Sequence, residues 1–421
     1  MHLAYGARVL AAGTIGLAVI TAAATAAAAT ATTAGRAAGT AGTAGMGGMG
    51  GALAGRGPAA GPASVIVTPG VRHPQRESDG GPSTTEDCEQ SLQIACYNPA
   101  QLQQAYGLTA LYARGITGKG ATIVIVEPYG SPTIARDLRA FDHAESVPRP
   151  PSLRIIRPAG KVPRFSPGNA SMTGWAGETT LDVEYAHAVA PGAKILLVET
   201  PGSSSGGTVS LSQIPTAEKY VIRHHLGDVI SQSFGVAEQA VGSTAIQSLR
   251  SAYTAAYASH VTMLAASGDT GVTGFEPSQR SYYTHRVTSW PASDPLVTAV
   301  GGTRLRLDAS GNRDSADTVW NDTYSHTANQ VVHGDNGPNP LGTGGGKSAV
   351  FARPSYQGKV RAVTGGHRGV PDISMSASCS GAVNVYQSFA GQPAGWYAVC
   401  GTSESSPLFA GVVALADQVA G

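Results

Sequence analysis

Five segments of the chain carry unbroken runs of mostly apolar residues that end in glycine or in an acidic residue. They are TIVIVE (122–127), KILLVE (194–199), DVISQSFG (228–235), VTMLAASGD (261–269) and LVTAVGG (296–302). A half-exposed strand alternates apolar and polar residues, whereas a continuous run is typical of a strand covered on both faces. We therefore predict five buried strands.

Helix-length segments lie between these strands, including residues 179–189, which stop before Pro191 and Gly192, and residues 243–259. This alternation predicts an α/β fold with a mostly parallel sheet flanked by helices. Because ligands of such sheets collect at the carboxyl ends of the strands, we expect the functional residues there.

The amino-terminal part of the chain differs in composition. Residues 1–30 combine a short start, with Arg8 as its one fully charged side chain, and a long apolar run that ends in small residues. This pattern predicts a secretory signal peptide, with an uncleaved membrane anchor as the alternative. Residues 31–87 are mostly Gly, Ala, Thr, Ser and Pro and predict a disordered linker, since they bury too little apolar surface to offset the ordering entropy. We expect a secreted protein whose folded domain spans 88–421.

Charge and cysteine content argue against two classes of function, nucleic-acid binding and zinc binding. The 28 Lys and Arg nearly balance the 27 Asp and Glu, and a net charge of +1 provides no field for a polyanion, so we expect no nucleic-acid binding. The four cysteines form no CxxC pair, which favours disulfides over a zinc site. Of three possible pairings we favour the local one: Cys88 with Cys96, and Cys379 with Cys400 around a predicted hairpin.

A candidate nucleophile lies near the end of the sequence. In GTSESSPLFAGVVALADQ, Ser403 precedes an apolar run that predicts a buried helix, with Pro407 in its first turn. Free N–H groups and the positive end of the helix dipole would then lie beside Ser403, as acyl transfer requires. The alternative is that Ser403, Thr402 or Ser405 only caps the helix.

Carboxyl groups offer the matching base. Glu178 and Asp182 are four residues apart on a predicted helix and share a face. Asp269, in SGDTG, directly follows an apolar strand. The alternatives are a solvated acidic helix face for the pair and an ordinary Asx turn for Asp269. No HGTH-type string occurs, which argues against a Ser-His-Asp hydrolase of the subtilisin kind.

These elements together resemble the sedolisin family of serine-carboxyl peptidases, which have a subtilisin-like fold. The resemblance runs from about Cys96 to the carboxyl terminus through the motifs QLQQAYG (101–107), SQSFG (231–235), WPASDPLVTAVGGT (290–303), TVWND (318–322), GTGGGKSAVFARPSYQ (342–357) and VPDIS (370–374). Each motif alone is weak, and their order makes the resemblance strong.

The resemblance implies a role for each residue. Ser403 would attack the scissile carbonyl, Glu178 would take and return its proton, and Asp182 would hold Glu178. Asp269 would donate a hydrogen bond to the oxyanion, which requires a protonated carboxyl. Because ordinary carboxyl pKa values lie near about 4, we expect an acid-active endopeptidase.

The resemblance also implies partners. The backbone of Ser233, Phe234 and Gly235 would pair with an extended substrate. We expect polypeptide substrates and a monomer. We expect no nucleotide, because Leu341 occupies the first glycine position of the phosphate-loop pattern around GTGGGKS.

Three features depart from the family pattern. Sedolisins usually carry a large folded propeptide, and here only the signal-like and low-complexity segments precede the domain. The family's calcium ligands lie well beyond the serine, but the sequence stops at Gly421, so calcium is expected from the resemblance although its usual ligand region is absent. We identify no other cofactor. Glu127 ends the first strand, where subtilisin-like folds place their triad acid, and we treat it as a supporting residue.

Two other functions stay open. A catalytically inactive relative would act as a peptide-binding or surface protein, which the early end of the sequence favours. An esterase or a Ser-His hydrolase is the second alternative, and it requires a catalytic histidine.

Overall fold

The structure, a computed structural model, describes residues 75–78, 80–202, 213–277, 281–333, 337 and 339–421. The predicted signal peptide (1–30) and most of the predicted linker (31–87) lie outside the described residues. Among the helices described, none has the length and apolar character that crossing a bilayer requires.

The secondary structure alternates between strands and helices along most of the described chain. The strands are β1 (Gln75–Ser78), β2 (Ala95–Tyr97), β3 (Thr122–Pro128), β4 (Leu153–Ile156), β5 (Lys194–Thr200), β6 (Val229–Gln232), β7 (Val236–Ala237), β8 (Thr262–Ala266), β9 (Ser289–Trp290), β10 (Thr298–Arg304), β11 (Thr318–Val319), β12 (Gly346–Ala352), β13 (His367–Val370), β14 (Ile373–Ser376), β15 (Gly381–Gln387) and β16 (Gly395–Val399). The helices are α1 (Thr85–Ser91), α2 (Pro99–Ala105), α3 (Thr109–Tyr112), α4 (Ile134–Ala144), α5 (Ala170–Val189), α6 (Gln213–Arg223), α7 (Glu238–Val241), α8 (Ser243–Leu249), α9 (Ser251–Ala258), α10 (His326–His333), α11 (Arg361–Thr364) and α12 (Thr402–Ala420), with a 3₁₀ helix at Ser355–Val360.

An eight-stranded sheet forms the centre of the fold, in the order β11-β10-β8-β6-β3-β5-β4 with β14 also paired to β10. The strands from β10 to β4 pair in parallel, β14 runs parallel to β10, and β11 runs antiparallel to it. The five predicted strands are β3, β5, β6, β8 and β10, which confirms the predicted α/β fold.

Alternate residues of β3 show why the apolar runs are continuous. Ile123 and Ile125 lie in the core that includes α5 and α12, whereas Val124 and Val126 lie in the core that includes α6 and α9. All four side chains are fully buried. The strand therefore needs apolar residues at every position, as a strand between two helical layers does.

A smaller sheet of four strands lies in the order β1-β16-β15-β2. Strands β15 and β16 form the predicted antiparallel hairpin. Cys379 and Cys400 flank it and are bonded to each other, and Cys88 is bonded to Cys96. Both favoured pairings are therefore confirmed.

Some element boundaries differ from the sequence predictions. Helix α5 begins at Ala170 rather than 179, with the Asn169 side chain accepting bonds from the first helical N–H groups. Because α5 is buried on nearly all sides, it shows no apolar periodicity that would mark its start. The predicted helix 243–259 is two helices, α8 and α9, which meet at Arg250. Strand β1 and the start of α1 fall within the predicted linker, because strand pairing and helix capping need no large apolar side chains.

Candidate active site

The candidate residues meet at the carboxyl end of the central sheet. Glu127 lies near the end of β3, Ser233 directly follows β6, and Asp269 follows β8. Helix α5 carries Glu178 and Asp182, and α12 packs along α5. The parallel strands therefore deliver these side chains to one edge, as expected for such a sheet.

Glu178 and Asp182 are fully buried. The solvated acidic face was the wrong alternative, because α5 runs through the core rather than over the surface. Glu127, also fully buried, interacts with both of these carboxyl groups. Three carboxyl groups thus occupy one buried site.

The shared burial changes how these groups hold protons. Burial raises the pKa of Glu127 well above its ordinary value, and the charges of Asp182 and Glu178 raise it further. Burial also raises the pKa of Asp182, and its interactions with Ser233 and Glu127 oppose that rise. Because burial and mutual repulsion disfavour three negative charges here, the carboxyl groups retain protons at pH values where exposed carboxyls are ionised.

Ser403 is the second residue of α12 and is 1% exposed. Gly401 occupies the N-cap position with a φ of 128°, which favours glycine, and it has no side chain to cap the helix. The capping alternatives for Thr402, Ser403 and Ser405 are therefore wrong. Pro407 is the sixth helical residue and not part of the first turn, because the helix already begins at Thr402.

The other hydroxyl groups of this turn bond to the surrounding strands. The Ser405 hydroxyl donates to the Ser376 carbonyl at 2.8 Å, and the Ser406 and Ser231 hydroxyls lie 2.8 Å apart. These bonds give the buried hydroxyl groups of Ser405 and Ser406 hydrogen-bond partners. They also fix the position of the turn that carries Ser403.

Asp269 is tied to the residue before Ser403. Its Oδ1 accepts bonds from the Thr402 N–H at 2.7 Å and from the Thr402 hydroxyl at 2.8 Å, and Thr402 Oγ1 accepts from the Gly268 N–H at 3.0 Å. An Asx turn, which is a local bond, does not account for these bonds to a residue 133 positions away. Asp269 is 7% exposed and lies beside the serine turn.

The segment after β6 lies between these groups. The Ser233 hydroxyl contacts Asp182 and donates to the Ser403 carbonyl at 3.3 Å. Phe234 is buried against the Trp175 ring, with ring centroids 6.5 Å apart. Only Gly235 of the three residues is partly exposed, so any substrate pairing here would involve backbone groups.

Sequence reasoning missed two of the residues that join the site. Thr402 was considered only as a cap, and Ser233 only for substrate pairing. Their bonds to Asp269 and to the Ser403 carbonyl span 133 and 170 residues of sequence. Buried Ser and Thr beside a candidate nucleophile are a usable signal, but their partners depend on the tertiary fold.

His187 lies away from the candidate active site and pairs with another carboxyl group. His187 is buried and lies nine residues after Glu178 on α5, which is about 14 Å along the helix axis. Its Nε2 is 3.2 Å from the Asp142 carboxyl of α4. It therefore belongs to a separate contact between α4 and α5.

No group of three or more His, Cys, Asp or Glu within the described ranges is arranged to hold a metal ion.

Comparisons with known proteins agree with this geometry. The profile of the Subtilase family matches residues 169–421. Kumamolisin from Bacillus sp. is 33% identical over 341 residues, covering 79% of this chain and 54% of that protein. Xanthomonalisin from Xanthomonas sp. is 30% identical over 370 residues, covering 83% of this chain and 42% of that protein. The chain therefore spans about half the length of the curated relatives it matches.

A solved structure is similar as well. Pseudomonas sedolisin, a serine-carboxyl proteinase solved with two molecules of pseudo-iodotyrostatin, has a TM-score of 0.64 and 27% identity, covering 78% of this chain and 82% of that one. The predicted resemblance and subtilisin-like fold are confirmed. The chain belongs to the subtilase family, in its sedolisin branch.

Proposed function

We propose that this protein is a serine-carboxyl endopeptidase that hydrolyses peptide bonds at acidic pH. The observation that carries the proposal is the buried group of Glu127, Glu178 and Asp182, which Ser233 connects to the helical turn bearing Ser403. Family membership supports the same reaction class.

In the proposed reaction, Glu178 takes the hydroxyl proton of Ser403 as the oxygen attacks the scissile carbonyl, and it returns that proton to the leaving amine. Asp182 positions Glu178. Glu127 carries a proton and thereby limits the negative charge of the three carboxyl groups. Water then hydrolyses the acyl-enzyme by the same proton path in reverse.

Asp269 stabilises the oxyanion in this proposal. Its Oδ1 is occupied by Thr402, so the proton that the role requires has to lie on Oδ2. The first turn of α12 assists, because it lies at the positive end of the helix dipole. A protonated donor and an ionised base coexist most readily below neutral pH.

We also place the enzyme outside the cytoplasm. Two disulfides support an oxidising compartment, and the apolar start of the sequence is typical of a signal peptide.

The test is digestion of casein between pH 3 and 8 by the wild type, Ser403→Ala and Glu178→Gln. We expect both substitutions to lower kcat/KM by at least about a thousandfold, because removing any one member of a catalytic triad disables the others. Ser405→Ala is the matched control, because it removes a hydroxyl from the same turn that bonds only to strand carbonyls.

Two results would contradict the proposal. Peptide binding with no cleavage that depends on Ser403 would identify a peptide-binding relative. An activity maximum above about pH 7 would reject the assigned carboxyl roles.

A further inference from the structure

A pocket of about 450 Å³ lies at the carboxyl ends of β3 and β5 and beside the start of α5. This volume falls within the range of ligand sites in proteins. We call it the cationic pocket; its chemistry comes from Tyr129, Arg157, Lys161, Arg164, Phe165 and Glu199.

The charges in the pocket are unequal. Three of its lining side chains are basic, and Glu199 is the acidic one. Arg157 pairs with Glu199 at 2.6 Å, which leaves the charges of Lys161 and Arg164 in excess at the exposed rim. A group with negative charge is therefore the complementary ligand.

The floor of the pocket is held in place by the backbone around it. Tyr129 has a φ of 61°, which is uncommon for a residue other than glycine, and its ring packs on Gly202. A Cβ atom at Gly130 would collide with the Glu199 carboxyl. Strained backbone that tertiary contacts maintain is concentrated at binding and catalytic sites.

The pocket also lies close to the proposed catalytic groups. Tyr129 is two residues after Glu127 on the same segment. Met172 lines the pocket and precedes Glu178 by six residues on α5, which is about 9 Å along the helix axis. An extended peptide advances by about 3.3 Å per residue, so it would cover that distance with two to four residues.

We propose that the cationic pocket is a subsite for an acidic side chain of the polypeptide substrate, two to four residues from the scissile bond. This inference rests on the proposed peptidase function. A substrate carboxyl has an ordinary pKa of about 4.3, so the attraction exists above that pH and disappears as the pH falls through it.

The experiment uses pairs of fluorogenic peptides that differ only by Glu or Gln at one position, moved through four residues on each side of the scissile bond. At pH 5.5 and low salt we expect the Glu peptide to have about a three- to tenfold higher kcat/KM at one position, mainly through a lower KM, as for two solvent-exposed ion pairs. The Glu/Gln ratio of kcat/KM should fall towards one at about pH 3 and in about 0.5 M NaCl.

The variant Lys161→Ala/Arg164→Ala should bring the Glu/Gln ratio close to one. Arg149→Ala/Lys359→Ala is the matched control, because both residues are exposed and neither lines the pocket. The control should keep the ratio of the wild type.

Binding of the same peptides, labelled with a fluorophore, to the Ser403→Ala protein separates the two proposals. Glu-selective binding that Lys161→Ala/Arg164→Ala abolishes supports the subsite even if the wild type cleaves nothing, which would overturn only the peptidase. Cleavage with equal rates for Glu and Gln peptides at every position would overturn the subsite and leave the peptidase intact.

Discussion

The hydroxyl of Ser233 donates a hydrogen bond to the backbone carbonyl of Ser403 at 3.3 Å. In an α-helix this carbonyl would accept the N–H of the residue four positions later, but that residue is Pro407, which has no N–H. Ser233 therefore fills a position that proline leaves empty. Because Ser233 also contacts Asp182, protonation of the Asp182 carboxyl can alter the hydrogen bond to the turn that bears Ser403.

Ser233→Ala is expected to lower kcat by about tenfold and stability by about 1 kcal/mol, since it removes the hydroxyl donor of the Ser403 carbonyl and the contact between Ser233 and Asp182. The acidic side of the pH profile of kcat should shift to higher pH, because the nearby Ser233 hydroxyl lowers the pKa of Asp182. Activity and chemical denaturation at several pH values measure these effects.

Ser231→Ala is the control for this prediction. It removes a buried hydroxyl that contacts Ser406 in the same helical turn but touches neither Asp182 nor the Ser403 carbonyl. A similar loss of stability with an unchanged pH profile is expected. Equal profiles for both variants would assign Ser233 a structural role only.

Glu127 is expected to act as a neutral acid. Burial and the neighbouring charges raise its pKa well above the ordinary value, so the protonated form predominates at acidic pH. Glu127→Gln keeps a neutral polar group, and we expect kcat/KM at pH 4 within about threefold of the wild type. Glu127→Leu removes the polar contact between residue 127 and Asp182 and should lower kcat/KM at least about tenfold. If Gln proves as harmful as Leu, Glu127 works as an anion instead.

Features set by nearby residues could be predicted from the sequence, whereas contacts between residues far apart in the chain could not. The five buried strands were predictable because burial on both faces leaves a continuous apolar run, as in β3. The chemistry of Ser403, Glu178 and Asp182 was suggested by local motifs. The start of α5 was missed because a helix buried all around has no polar face, and Thr402 was missed because its partner, Asp269, lies 133 residues away.

The disulfide Cys379–Cys400 should matter more for activity than Cys88–Cys96. Cys400 is three residues before Ser403, and the bond closes a loop with a sequence separation of 21. Replacing this pair by alanine is expected to cost about 3 kcal/mol of stability and to lower kcat, because Gly401 and the start of α12 lose an anchor. The Cys88→Ala/Cys96→Ala protein, with a separation of 8, provides the comparison. A selective loss of kcat in the first variant, measured below both melting temperatures, supports the prediction.

The protein should be most stable in acid. Burial raises the pKa of Glu218 and of Glu404 to about 8, and it raises the pKa of Glu145 to about 7. The folded state then holds more protons than the unfolded chain between about pH 4.5 and 8, so stability falls as the pH rises through this window. Hydrogen bonds lower the pKa of Asp87 and of Asp308, which act in the opposite sense, but only below about pH 4.

Glu218→Gln tests this account away from the active site. Glu218 is fully buried on α6, and burial is the cause of its raised pKa. The neutral amide removes the cost of ionising or protonating that group, so the variant should gain about 3 kcal/mol over the parent at pH 7 and almost nothing at pH 4. Denaturation curves in the Ser403→Ala background avoid self-digestion during the measurement. An equal gain at both pH values would show that packing, rather than the proton on Glu218, sets the difference.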